Sequence, residues 1–136
     1  MKTFRLEILT PFGEYLSTNV DYLRVQSSQY RLGILPNHAP LVSTLITSEI
    51  SFKIGNHEEV FATSGGIIQV TKEKVTLLLD AIERVSEIDI SRAMNARDRA
   101  ESRLKENISE EDKKRALAAL DRAKNRIAIY ERNNRE

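Results

Sequence analysis

A chain of 136 residues with 21 basic and 20 acidic side chains, formal charge +1, has room for one main core and an appendage, and lacks the basic excess of a nucleic-acid protein. It has no cysteine and only two histidines, His38 and His57, which excludes disulfides and thiolate metal centres and leaves too few ligands for a histidine-only zinc site. No apolar run approaches the roughly 18 residues needed to span a bilayer, and the opening MKTFRLEILT lacks the apolar stretch of a secretory leader. Cytoplasmic exposure is expected, with any membrane association made through a partner.

Along the chain, apolar residues first recur at period two: Phe4, Leu6 and Ile8, then Val20 and Tyr22, Ile50, Phe52 and Ile54, Val60 and Ala62, and Val75, Leu77 and Leu79. That is the pattern of half-buried strands. Pro11 with Gly13, Gly55-Asn56, Gly65-Gly66 and the polar Thr71–Lys74 punctuate them. The reading is a compact β-sandwich or flattened barrel. All 5 glycines and 3 prolines lie at or before Gly66, and after Ile88 alanine becomes the common small residue. The boundary falls near Arg84–Asp89, giving a sandwich domain over 1–85 and a helical domain over 86–136, an α+β chain by composition.

Asp89 suits the N-cap of a first helix carrying Ile90, Ala93, Ala96, Ala100 and Leu104 on one face and ending near Asn107. Ser109 followed by Asp112 resembles a capping box opening a second helix, whose stripe is Ala116, Leu120, Ala123, Ile127 and Tyr130. A connection of two or three residues would fold the pair into an antiparallel hairpin. With the turn centred near Ile108, Ala100 faces Ala116 and Ala93 faces Ala123. Asp89 and Arg92 then lie beside Arg122 and Arg126 at the open end, close to Glu83. Alanine pairs bring helices close but bury little area, so at about 25 cal/mol per Å² the hairpin is expected to be marginal.

Arg99, Arg122 and Arg126 have no acidic residue three or four positions away, where a helix would place a partner. Arg122 and Arg126 repel each other at i,i+4, as do Arg99 and Arg103. Either these are solvated surface charges, or a multiply charged anion bridges them. In the second case the anion stabilises the closed hairpin, which becomes a ligand-biased two-state element. No glycine-rich phosphate loop of the G-x-x-x-x-G-K-[ST] kind is present, so binding without hydrolysis is expected. His38 lies between Pro36 and Pro40 and reads as a loop or interface residue. His57 follows the Gly55-Asn56 turn and reads as solvated. The serines have no histidine near them in sequence and no nucleophile elbow, which argues against an enzyme.

The runs LGILPNHAPL over Leu32–Leu41, SGGIIQV over Ser64–Val70, Val75–Asp80, and IDISRA over Ile88–Ala93, in that order and spacing, resemble the epsilon subunit of the bacterial rotary ATP synthase. The resemblance covers essentially the whole chain. It implies a sandwich that docks on the gamma subunit and the c ring and helps couple proton flow to rotation, at the cytoplasmic face of the membrane and peripheral to it. It also implies a hairpin that can extend to the alpha and beta subunits and block ATP hydrolysis, in a subunit that is not itself catalytic. In the subset from bacilli, the closed hairpin binds ATP through Ile/Leu-Asp-x-x-Arg-Ala and arginines on both helices.

Ile88, Asp89, Arg92 and Ala93 match that motif. The resemblance gives Arg92, Arg99, Arg122 and Arg126 to the phosphates, and Glu83 and Asp89 to the base, the ribose or the orientation of an arginine. Arginine supplies the countercharge, so magnesium is not required and no cofactor is implied beyond ATP as regulatory ligand. Arg31 and His38 fall on the side turned to the c ring and gamma. Tyr30 and Arg31 stand where a glycine and often an acid occur, Asn37 replaces a frequent glycine, and Gln69 a frequent glutamate. Two alternatives remain: a coupling subunit that does not sense ATP at cellular concentrations, or a free-standing adaptor whose helices bind nucleic acid or a partner helix.

Overall fold

Period-two alternation puts Leu6, Ile8, Leu77 and Leu79 on one side of their strands, and all four are buried. The computed structural model describes residues 2–134 and divides into two units, Met1–Arg84 and Val85–Glu136. The first unit holds ten strands: β1 (Phe4–Thr10), β2 (Gly13–Val20), β3 (Tyr22–Gln26), β4 (Arg31–Ile34), β5 (Leu41–Leu45), β6 (Ser48–Ile54), β7 (His57–Thr63), β8 (Gly66–Val70), β9 (Lys74–Leu79) and β10 (Ile82–Arg84). They form two five-stranded sheets, ordered β2-β1-β9-β8-β5 and β10-β7-β6-β3-β4. All pairings are antiparallel except β1 with β9, which run parallel with Leu6 opposite Val75 and Ile8 opposite Leu77. The core between the sheets is built from large side chains, among them Phe61, Phe52, Leu23 and Ile50.

Val20 and Tyr22 do not share a strand. Val20 ends β2 in one sheet and Tyr22 opens β3 in the other, with Asp21 at the crossing. Asp21 fixes that corner with its backbone N–H, 2.8 Å from the Lys53 carbonyl, and with its carboxylate, which accepts from the Gly55 N–H. Alternation does not carry through the corner: Val20 is buried, Tyr22 is only half-buried, and Leu23 and Val25 take the core positions of β3; the bend at Asp21 is set by these hydrogen bonds. Strands β4 and β5 flank the loop carrying Pro36 and Pro40, and Asn37 there has φ 68°, the left-handed conformation expected of an asparagine in a glycine's place. Gly66 opens β8 at φ +156°, where a β-carbon would run into the Leu78 carbonyl. Only glycine fits that approach.

In the second unit a 3-10 turn at Val85–Glu87 precedes α1 (Ile90–Leu104) and α2 (Glu110–Asn133). Both expected caps form. Asp89 accepts from the Arg92 N–H and Ser109 from the Asp112 N–H, each at 3.1 Å. Ala93, Ala100, Ala116 and Ala123 are all buried, as an alanine seam requires.

Three details of the hairpin differ from the sequence reading. α1 ends at Leu104, short of Asn107, and the connection spans 105–109 instead of two or three residues. With no glycine to take the left-handed C-cap, the helix unwinds through Lys105 N–H to Ser102 and Glu106 N–H to Arg103 carbonyl bonds, 3.1 Å each. The Asp112 carboxylate faces the other helix, 3.7 Å from Arg103 Nη2, so the Ser109 half of the capping box is the part that forms. Ile129, off the expected stripe, is fully buried, and α2 also packs on the Val85–Glu87 turn.

Candidate functional site

On a helix each residue turns about 100°, so a side chain one position before a buried one sits to a fixed side of the seam. Arg92 precedes Ala93 and Arg99 precedes Ala100 on α1; Arg122 precedes Ala123 and Arg126 precedes Ile127 on α2, and all four followers are buried. An antiparallel pair is related by a two-fold axis perpendicular to both helices. Residues just before the seam on either helix therefore project onto the same face of the hairpin. The Arg103–Asp112 pair, which crosses between the helices at 3.7 Å, marks that face independently. Arg92 and Arg99, seven residues apart, lie about 10 Å from each other along the axis.

Arg92, Arg99 and Arg122 are exposed, and among the described residues no ion pair engages their guanidinium groups. Arg126 is half-buried and has a side-chain interaction of its own. Two other arginines of the helices are paired: Arg97 lies 3.1 Å from Asp98 and 3.9 Å from Glu101, and Arg115 lies 3.2 Å from Glu111. Arg103 is also taken, so its repulsion of Arg99 is compensated in part by Asp112. Such a set can bind a polyanion by charge-assisted hydrogen bonds.

Asp89 spends one carboxylate oxygen on capping α1, with the Arg92 backbone as donor. Ile88, just before that helix, is buried. Glu83 stands in the middle of β10, opposite Ala62, with Oε1 withdrawn from solvent. Arg31 and His38 bracket β4: Arg31 begins it, opposite Gln26, and His38 follows it, half-buried, with Nδ1 2.8 Å from the Ala39 carbonyl. His38 also lines a cleft of about 310 Å³ with Phe4, Leu35 and Lys72. Arg31 is not among its lining residues. Among the described residues no group of three or more histidine, aspartate or glutamate side chains is arranged for a metal ion, and no helix is long and apolar enough to cross a membrane.

Sequence reasoning missed two clusters. One is the Arg103–Asp112 link, hidden because its partners are nine residues apart across a turn. The other joins His57, Glu59 and Arg84. His57 is exposed yet not merely solvated: its Nε2 lies 2.9 Å from Glu59 Oε1, and Arg84 Nη1 lies 2.7 Å from Glu59 Oε2. The His57 hydrogen bond, with the charge of Arg84 behind it, holds the Glu59 carboxyl below its ordinary range despite a counteracting loss of solvent.

Two family models tile the chain. Residues 3–85 match the ATP synthase delta/epsilon chain β-sandwich domain, and residues 86–131 match the long α-helix domain of the same chain. Two solved structures share the fold: a chain of the Euglena gracilis mitochondrial ATP synthase (OSCP/F1/c-ring), TM-score 0.83 at 18% identity over 93% of this chain and 80% of that one, and a chain of the Tetrahymena thermophila mitochondrial ATP synthase central stalk and c ring, TM-score 0.62 at 15% identity over 98% of each. A sandwich continued by a helical hairpin is thus the architecture of an ATP synthase delta/epsilon chain, and a chain of this class is not the catalytic one.

The sequence relatives narrow it. The ATP synthase epsilon chain of Alkalihalophilus pseudofirmus is 44% identical over 104 residues, 76% of this chain and 78% of that one. That of Bacillus thuringiensis is 42% identical over 106 residues, 78% and 80% respectively. The chain belongs to the ATP synthase epsilon family.

Proposed function

We propose that this subunit joins gamma to the c ring in the central stalk, helping to couple proton translocation to ATP synthesis, and that its hairpin senses ATP. ATP holds the hairpin closed; without it the helices extend toward the alpha and beta subunits and block hydrolysis. The subunit works peripherally at the cytoplasmic face of the membrane. The observation that carries the sensing role is the set of four arginines on one hairpin face, three of them without ion pairs among the described residues.

The phosphates would be bound by Arg92, Arg99, Arg122 and Arg126, and base or ribose by Glu83 and Asp89, with Ile88 and Ala93 setting the backbone of the motif. Because the seam is alanine, empty-hairpin stability is low, and a ligand that prefers the closed form by even a few kcal/mol moves the population. Docking is supported by the outward face of the first sheet. There Leu78 lies opposite Ile67 on β8 and Leu9 on β1, and Ile67, Leu78 and Val42 are exposed. A contiguous apolar row of this kind suits a protein partner, here gamma. The His38 cleft and Arg31 would meet the c ring.

Calorimetry of the whole chain with ATP and ADP, with and without magnesium, tests the sensing role. ATP should bind the parent, removal of magnesium should change little, and Arg122→Ala with Arg126→Ala should abolish most of the heat. Equal binding by parent and double variant would reject the site.

A further inference from the structure

The strand at the boundary between the two units is the shortest of the sandwich. β10 has three residues, lies at the edge of its sheet and pairs with β7 alone, Ile82 opposite Thr63, Glu83 opposite Ala62 and Arg84 opposite Phe61. A ladder of that length is about half an ordinary strand, so side chains must do much of the holding.

Its two ends are held differently. Before β10, the Ala81 carbonyl accepts from Thr63 Oγ1 at 2.8 Å and from the Ser64 N–H at 3.3 Å, a neutral pin made by buried or backbone groups. At the other end the hold is ionic: Arg84 Nη1 donates to Glu59 Oε2 at 2.7 Å, and the guanidinium carbon lies 5.2 Å from the centre of the Phe61 ring. Phe61 is itself immobilised, stacked 5.4 Å from Phe52 and edge-on to Tyr15 at 6.2 Å. Glu59 is held on its other side as well, its second oxygen lying 2.9 Å from His57 Nε2.

We propose that β10 is a releasable strand: the clasp of Arg84 on Glu59 and Phe61 sets where the sandwich ends, and opening it hands residues 82–84 to the connecting segment. The 3-10 turn Val85–Glu87 follows directly on Arg84. Release as far as the Ala81 pin adds three extended residues, about 10 Å of reach. If the hairpin extends as proposed above, this reserve would lengthen its reach; the release of β10 does not depend on nucleotide binding.

Hydrogen exchange on the full chain, read by peptide mass, tests the clasp. In Arg84→Gln the amides of 82–84 should exchange about tenfold faster, the size expected for losing a partly exposed ion pair and a cation–π contact together, and in Glu59→Gln, which loses the ion pair alone, about threefold faster. Peptides from β1 and β6 should keep parental rates, which also shows that the variants fold. Trypsin should cut after Arg84 sooner in Glu59→Gln than in the parent. Parental exchange over 82–84 in either variant, or acceleration spread through β1 and β6, overturns the proposal. Calorimetry with ATP reports on the arginine face alone, so failure of that reading and failure of this one are distinguishable.

Discussion

The sandwich and the hairpin solve the same problem with opposite materials. In the first unit, Phe61, Leu23, Ile50 and Leu77 come from strands scattered along the chain and leave no exposed area. In the second, Ala93, Ala100, Ala116 and Ala123 meet across one turn. Large side chains fill a core that resists opening; small ones let two helices touch and part again at modest cost. The difference teaches that one chain can join a densely packed unit to a lightly buried one by changing side-chain volume at residue 85 or so.

That contrast can be broken most forcefully at Phe61. Phe61→Ala should cost about 3–5 kcal/mol, seen in urea unfolding by near-ultraviolet circular dichroism. A smaller effect would mean that the aromatic cluster is not the centre of the sandwich. Ala123→Gly should cost about 2 kcal/mol, from helix propensity and a lost buried methyl, and should speed exchange in α1 and α2 while leaving β6 and β7 unchanged. Ser109→Ala removes a cap worth about 1 kcal/mol and should act on α2 alone, read in the same exchange experiment.

The smallest effect is one of pH. Glu59 is held below its ordinary value of 4.5, chiefly by the His57 hydrogen bond, against the opposing effect of burial, with Arg84 adding its charge. A depressed carboxyl contributes stability that is present above its unfolded pKa and lost as pH falls through the folded one. Unfolding midpoints of the parent and Glu59→Gln should therefore differ at pH 6, and the difference should shrink as pH falls below 4.5 and through the lowered folded-state value. A difference that persisted in acid would take the charge of Glu59 out of the account.

Much of this was legible beforehand where periodicity is undisturbed. Leu6 and Ile8, Val75 to Leu79, both helix caps and the alanine seam follow from spacing alone, because helices and strands repeat locally. The failures are local too, but their causes are distant. The corner at Asp21 depends on Lys53 and Gly55, β4 and β5 on a loop whose prolines mask their pattern, and Ile129 on a packing partner outside the stripe. The arginine face was visible as missing neighbours; that it is one face required the two-fold relation between the helices. Arg84 gave no sign, since its partner Glu59 precedes it by 25 residues.

The parallel pairing of β1 with β9 has a consequence for how the chain comes into being. Residues 4–10 find their inner neighbour only after residues 74–79 exist, so during synthesis the first sheet stays incomplete until β9 can pair with β1 and β8. The hairpin, made after the sandwich and built from short-range contacts, then folds fast. Any lesion that delays the ninth strand should leave the opening strand as an unpaired edge, and premature aggregation, not a misplaced hairpin, is the failure to expect.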